Sequence, residues 1–318
     1  MNKIILIFAC LFSHQLLAAG YCTSYENTTT DVITYAGGGD PDALDNCEFA
    51  PDGYELKIYD FGMCTAEPTA PTGASAADYA TNCVSIFQSD AGESFNLAAG
   101  ASFSMTGSEK PANGTYTWGY VLIANTFGIT LSQEFGNTLG GIDPTSSTGS
   151  FCWSSANTTD SSTSYYGSQS GALAIAGEDY VTCGSSAGSA TKITEILDSF
   201  GCDNSSDPLT CDFTASGATD DGTMYAYLID SDGVVPGGLV GNTFVSDPTA
   251  AADRLVGFLR WTSSVIISET TATVDLQFRV NNGTSAQLYP DASFSGDGSD
   301  YDVFSFGSGP FSVNISVD

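Results

Sequence analysis

The sequence predicts an all-β fold, an antiparallel β-sandwich stapled by disulfides, with one short helix. Three observations carry that prediction. Short segments alternate apolar and polar side chains with a period of two. Gly-, Asn-, Asp- and Ser-rich turns such as "DSDG" (230–233) and "NNGT" (281–284) separate them. An even set of cysteines remains once an export signal is set aside.

The elements follow in chain order. "YELKIYDF" (54–61) sets Tyr54, Leu56 and Ile58 against Glu55 and Lys57, a half-buried strand. "TYTWGYVLIANTF" (115–127) puts Tyr116, Trp118, Tyr120 and Leu122 on one face. Val121 and Ile123 take the other, so this strand is expected to be central and covered on both sides. "TKITEILDSFG" (191–201) breaks the pattern, with Ile193, Ile196, Leu197 and Phe200 at helical spacing between a Thr191 cap and a Gly201 stop. A short helix closing one end of the sandwich, or standing in an interface, is the expectation there. "GTMYAYLI" (222–229) and "YDVFSF" (301–306) read as strands, and "LVGFLRWTSSVIIS" (255–268) as a strand pair or one long bent strand. "TATVDLQFRV" (271–280) is the clearest alternation, with Val274, Leu276, Phe278 and Val280 against Asp275, Gln277 and Arg279.

The last ten residues, "GPFSVNISVD", alternate Phe311, Val313, Ile315 and Val317 with polar neighbours up to the final residue. Chain ends fray unless tied down, so a strand here implies docking in a sheet. It either closes its own sandwich or adds to the sheet of a neighbouring subunit.

The first twenty residues read as an export signal. Lys3 supplies the positive region and Ile4 to Phe12 the apolar run, and Ala18-Ala19-Gly20 suits cleavage before Tyr21. The run falls short of the roughly 20 apolar residues that span a bilayer, and no other stretch is long and apolar enough. Cys22 raises the alternative of lipid attachment, but bulky Tyr21 separates it from the small residues. Parity agrees: of nine cysteines, removal of Cys10 leaves Cys22, Cys47, Cys64, Cys83, Cys152, Cys183, Cys202 and Cys211, and lipidating Cys22 would strand one. Sequence-local pairing, 22–47, 64–83, 152–183 and 202–211, is the preferred framework, although spacing alone does not fix it.

For domains, the expectation is a β domain over 21–143 and another over 173–318. Residues 144–172 form a Ser/Thr/Gly-rich loop or linker between them. A single large sandwich with a disulfide-pinned insertion is the alternative, because that stretch holds Cys152 and Trp153. Asn-x-Ser/Thr sequons begin at Asn27, Asn113, Asn157, Asn204, Asn282 and Asn314, as chance allows in a chain so rich in these residues.

Charge excludes whole classes of partner. Seven Lys and Arg stand against 37 Asp and Glu, a formal net charge of −30. Nucleic acid needs a basic footprint and an anionic membrane surface attracts one, so neither is expected. With 42% hydrophobic and 12% aromatic residues, the chain still buries a real core. The acid excess suits a soluble surface in salty water or in contact with divalent cations.

Residues 54–127 carry a resemblance. "YELKIYDFGMCTAEPTAP" leads a strand into Cys-Thr, "NCVSIF" brings a second cysteine about twenty residues on, and "PANGTYTWGYVLIANTF" introduces a long strand. In these features the chain resembles a loosely defined group of secreted proteins of marine bacteria and their viruses. The resemblance covers about a quarter of the chain and implies an exported, surface-exposed protein of a marine microbe. It implies no activity and no site residue.

Candidate chemistry is sparse. The only histidine, His14, lies in the signal, and no C-x-x-C occurs, which argues against zinc and against Ser-His-Asp, Cys-His and His-based metal hydrolysis. Lys57, Lys110 and Lys192 sit in no S-x-x-K setting, and "AGGGD" (36–40) lacks the Lys of a phosphate loop. A carboxylate-based glycosidase survives only as a remote alternative, with Glu55 its candidate against the plainer reading of a solvent-facing strand residue. No catalytic residue is therefore assigned. Calcium is the one cation with partial support, from Asp40, Asp42 and Asp45 in "GGGDPDALD" and Asp297, Asp300 and Asp302 in "GDGSDYD". Neither run has EF-hand spacing, and solvated acidic loops are the competing reading. Trp153, Tyr165 and Tyr166 would stack on sugar rings if exposed, whereas burial of Trp153 beside Cys152 is the structural alternative. Two functions follow: a secreted, acidic, self-associating or adhesive surface protein, or a secreted carbohydrate-binding module assisted by calcium.

Overall fold

The computed structural model describes residues 22–27, 30–35, 45–97, 109–141, 143, 147–156, 179–197, 199–203, 210–219, 221–236, 252–272, 274–280, 283–289, 301–308 and 311–317. Residues 1–20, expected to be an export signal, and Asp40, Asp42, Asp297, Asp300, Tyr165 and Tyr166 lie outside them.

Among the described residues all regular elements are strands. The chain opens with β1 (Cys22–Asn27), β2 (Thr30–Tyr35), β3 (Asp45–Phe49), β4 (Gly53–Cys64) and β5 (Cys83–Leu97). Next come β6 (Gly114–Ala124), β7 (Thr126–Thr130), β8 (Ser132–Gly140), β9 (Thr148–Ser155) and β10 (Tyr180–Gly184). Then follow β11 (Ile193–Ile196), β12 (Gly201–Asp203), β13 (Thr210–Asp212), β14 (Thr214–Thr219) and β15 (Gly222–Ile229). The chain finishes with β16 (Arg254–Ile267), β17 (Val274–Arg279), β18 (Thr284–Tyr289), β19 (Tyr301–Ser308) and β20 (Ser312–Val317).

These make two eight-stranded sheets and two small ribbons. Sheet A runs β1-β2-β8-β19-β18-β3, with β9 beside β8 and β10 beside β9. Sheet B runs β11-β7-β4-β6-β16-β15-β14, with β5 beside β4. Pairing is antiparallel except where β8 meets β2 and β19. The sheets share one apolar core in a sandwich-like arrangement, to which Ile33, Phe49, Phe135 and Phe306 come from sheet A and Tyr54, Ile58, Ile123 and Leu259 from sheet B. A polar link crosses it: the hydroxyls of Tyr54 and Ser308 lie 2.8 Å apart.

Both sheets draw strands from both halves of the chain. β6 pairs β16 over nearly its whole length, and β8 pairs β19. A break into domains at 21–143 and 173–318 is therefore not how the strands pair. It would leave unpaired the backbone edges of β6 and β8, which are buried among apolar neighbours. Part of the Ser/Thr-rich stretch is itself strand β9, in which Cys152 is wholly buried.

The helix expected over 191–201 does not form. Residues 193–196 are β11, paired antiparallel with β7, with Ile193 opposite Ile129. Thr191, Ile193, Thr194 and Ile196 are β-branched, stiff residues that fit a pleated edge better than a helix turn. In the strand Ile193 is buried while Ile196 is 56% exposed, an alternation that the helical spacing of Ile193 and Leu197 had masked. Buried Asn125 holds this corner, its amide donating to the carbonyls of Leu197 (3.1 Å) and Ala252 (2.9 Å).

"LVGFLRWTSSVIIS" is one long strand, irregular between Arg260 and Val265, so the bent-strand alternative is the observed one. The C-terminal strand β20 pairs antiparallel with β17 of the same chain, Val313 opposite Phe278 and Ile315 opposite Leu276. Leu276 and Val313 line a narrow apolar crevice with Val121, Met224 and Leu259 of sheet B. Phe311 packs near Tyr54, Phe127 and Phe278, with ring centroids 5.8–6.2 Å apart. Residues 311–317 thus close the chain's own core. Their deletion exposes β17 and removes buried Phe311 and Val313, each worth about 1.5–3 kcal/mol. The truncated protein is expected to melt at a markedly lower temperature or not to fold, as circular dichroism would record. An unchanged melting temperature would refute this packing.

Candidate functional site

Sheet B is apolar on both faces. Its inner face joins the shared core; its outer face carries a second cluster of Cys64, Trp118, Tyr120, Leu122, Ile229, Val256 and Phe258. Strand register lines these up. Gly62, Tyr120, Phe258 and Tyr225 stand opposite one another on successive strands β4, β6, β16 and β15. The next row holds Asp60, Leu122, Val256 and Tyr227. Rings pack along and between the rows: Trp118 on Tyr225 at 5.8 Å and Tyr227 on Phe258 at 5.7 Å between centroids.

A loop crosses this face. Residues 65–82 leave β4 and return in β5, with their base closed by the Cys64–Cys83 disulfide between directly opposed residues. Ala70, Ala77 and Tyr79 pack on the cluster, and Tyr79 stacks on Tyr120 at 4.5 Å. Within the loop Thr69 and Asp78 exchange backbone hydrogen bonds of 2.9 and 3.0 Å, and Val235 N–H donates to the Thr72 carbonyl at 3.0 Å. Asp78 caps its own turn by accepting from the backbone of Ala80 and Thr81 and from the Thr81 hydroxyl, which holds its carboxyl below the usual range. The cover is partial: Tyr59, Tyr79, Tyr225 and Tyr227 are half-buried, with part of each side chain in solvent.

Beneath the loop lies a buried carboxylate. Asp60 is 5% exposed, and its Oδ1 accepts from Ser85 Oγ at 2.8 Å and from the Tyr120 hydroxyl at 2.9 Å. Burial raises its pKa, against the two donors that favour the charged form. Burial, together with the Asp60 charge, likewise raises the Tyr120 hydroxyl. Gly62 makes the arrangement possible. A Cβ there would clash with the Val84 carbonyl oxygen and stand 2.6 Å from Tyr120 Cε1, so only glycine lets this ring lie flat across β4. The Arg254 guanidinium sits over the ring of Tyr59, the residue before Asp60, 4.2 Å from its centroid.

The sequence-derived candidates fall elsewhere. Cys152–Cys183 is the second disulfide, again between directly opposed residues, and Cys47 is also disulfide-bonded. Cys202 and Cys211 face each other in the β12–β13 register, and Cys22 opens β1. Of the calcium candidates, Asp45 and Asp302 end strands on either side of β18, opposite Leu288 and Tyr289. Among the described residues no group of three or more metal-ligating side chains converges. Glu55 is tied into an ion pair with Lys192 at 3.1 Å, bridging β4 to the residue before β11. Trp153 is half-buried, and a Cβ on Gly188 would meet its ring at Cδ2, 2.6 Å away, so the 184–190 segment lies against it.

The polar members of the outer face, Asp60 and Arg254, were not singled out by the sequence reading. One signal was present: Asp60 falls at the parity of buried Tyr54, Leu56 and Ile58, where an apolar residue is expected. Among the described residues no helix is long and apolar enough to cross a membrane. Comparison with known proteins finds no matching family model, no matching characterised protein and no matching solved structure.

Two predictions follow from this geometry. In Gly62→Ala the Tyr120 ring must move off β4 and the Asp60 hydrogen bonds stretch, so unfolding is expected at lower denaturant by about 1–3 kcal/mol. An unchanged midpoint would refute the close approach. Asp60 has a folded pKa above its unfolded one, so the folded state binds more protons between the two values, and its contribution to stability falls as pH rises through that window. Asp60→Asn keeps an acceptor for Ser85 and Tyr120 but cannot titrate. Its stability is expected to depend less steeply on pH just above the usual carboxylate range, measured by urea unfolding from pH 4 to 8; parallel curves would contradict the assignment.

Proposed function

We propose that this is an exported, acidic surface protein that adheres to glycans through the outer face of sheet B, without catalysis. One observation carries the reading: four half-exposed tyrosines, Tyr59, Tyr79, Tyr225 and Tyr227, pack on one sheet face, and a guanidinium lies over the ring of Tyr59. Sugar rings present C–H faces that stack on such rings, and tyrosine adds a hydroxyl for hydrogen bonding. The charge supports the same role, since a net charge of −30 keeps a secreted protein soluble while leaving neutral polymers free to approach. The marine, surface-exposed setting implied by the resemblance of residues 54–127 fits it as well.

The test is retention on immobilised polysaccharide. Wild-type protein is expected to bind, and the Tyr225→Ala/Tyr227→Ala double variant to lose about tenfold or more in affinity with its fold intact by near-ultraviolet circular dichroism. Failure of the wild-type protein to bind any polysaccharide would remove the reading.

A second reading, self-association, has an observation of its own at the edge of the same sheet. β14, "TASGAT", is a terminal strand with no charge, proline or recorded register shift. The opposite edge strand, β5, is blunted by two register shifts against β4, by Gly92 at φ 71°, and by Asp90 and Glu93. An unprotected edge invites strand addition by a second copy. Light scattering would register an oligomer that Ser216→Lys dissolves; a monomer at all concentrations would dismiss it.

A further inference from the structure

We infer that Asp60 and Arg254 form the polar half of a saccharide subsite that takes a neutral sugar bearing a vicinal diol. The inference rests on the adhesive reading above and names its ligand class.

Among the described residues, Arg254 makes no hydrogen bond and no ion pair; its one close partner is the Tyr59 ring. A guanidinium carries five N–H donors, and on this half-buried side chain they are left to solvent or a ligand. The omission is notable in a chain with 37 acids and seven bases. Asp60 is the complement. Both of its donors reach Oδ1, and among the described residues none reaches Oδ2, although a carboxylate has room for about four hydrogen bonds. Arg254 lies over the ring of Tyr59, the residue before Asp60 at the register shift in β4, and no ion pair joins Asp60 and Arg254. The Tyr79 hydroxyl reports both: burial raises its pKa, the Asp60 charge adds to the rise, and Arg254 opposes it.

A carboxylate oxygen and guanidinium donors without partners among the described residues, on one sheet face and beside tyrosine rings, match adjacent hydroxyls on a sugar. One hydroxyl donates to Asp60 Oδ2, its neighbour accepts from the Arg254 fork, and the ring's C–H face meets Tyr59 or Tyr79. An anionic sugar is disfavoured. Its carboxylate or sulfate would suit Arg254 but would face the buried Asp60 charge, in a protein whose overall field already repels anions.

The experiment is calorimetric titration of the full chain with neutral glucan, mannan and galactan oligosaccharides and with uronate oligosaccharides from alginate. Binding is expected for at least one neutral series and not for the uronates. Arg254→Gln and Asp60→Asn are each expected to weaken it about tenfold or more, the usual worth of a hydrogen bond to a charged group. Asp60→Asn is near-isosteric, and Arg254 spans no buried pair, so near-ultraviolet circular dichroism should be unchanged. If neutral sugars bind, depend on Tyr225 and Tyr227, and ignore both substitutions, the subsite is wrong while the adhesive face stands. Preference for uronates would overturn it as well. If no oligosaccharide binds, both fall together.

Discussion

The constraint on which the rest depends is that the central strands of sheet B are apolar on both faces. β6 sits between β4 and β16 with apolar side chains on both sides, from Val121 and Ile123 inward to Trp118, Tyr120 and Leu122 outward. A sheet of that composition must be covered twice. Sheet A and the β17–β20 ribbon supply the inner cover, and the 65–82 loop supplies the outer one. Clamping an irregular loop of this length onto a flat sheet costs chain entropy, and the Cys64–Cys83 bond offsets part of it by closing the loop in the unfolded chain as well. For a sequence separation of 19 that effect is worth about 3 kcal/mol.

The outer cover also explains the polar chemistry. A loop too narrow to roof the whole face leaves tyrosines partly wet, while the strip directly beneath it is dry enough to raise the pKa of Asp60. Ser85 on β5 and Tyr120 on β6 flank the carboxylate from two of the strands that pair with β4. The charge is therefore held by the sheet and not by the loop. A binding face built this way keeps its polar contacts on rigid strands, where position is well defined, and leaves the loop to set how much of the aromatic surface is open.

Much of the sheet was legible in the sequence, because alternation is a direct record of which face is buried. The strands at 54–64, 114–124, 222–229 and 274–279 follow from it, as does the doubly covered character of β6. The sequence-local pairs Cys64–Cys83 and Cys152–Cys183 were legible because each joins neighbouring antiparallel strands. The segment 191–201 was not, since Ile193 and Leu197 fit a helix and a short edge strand equally, and only pairing with β7 decides between them. Nor was the union of the two chain halves, because the partners β6 and β16 lie about 140 residues apart in the sequence and nothing local marks them as neighbours. The candidate site was the least legible part. Tyr59, Tyr79, Tyr225 and Arg254 come from four separate segments, and only the register across β4, β6, β16 and β15 and the path of the loop bring them to one face.

The claim that the disulfide-closed loop is the separate outer cover of sheet B can be put to a direct measurement. In Cys64→Ser/Cys83→Ser protein, native-state hydrogen exchange of residues 65–82 should accelerate well beyond that of β4, β6 and β16, while Trp118 fluorescence becomes quenchable by acrylamide. Loss of protection across the whole of sheet B in the same step, or a loop that stays as protected as in the wild type, would contradict it.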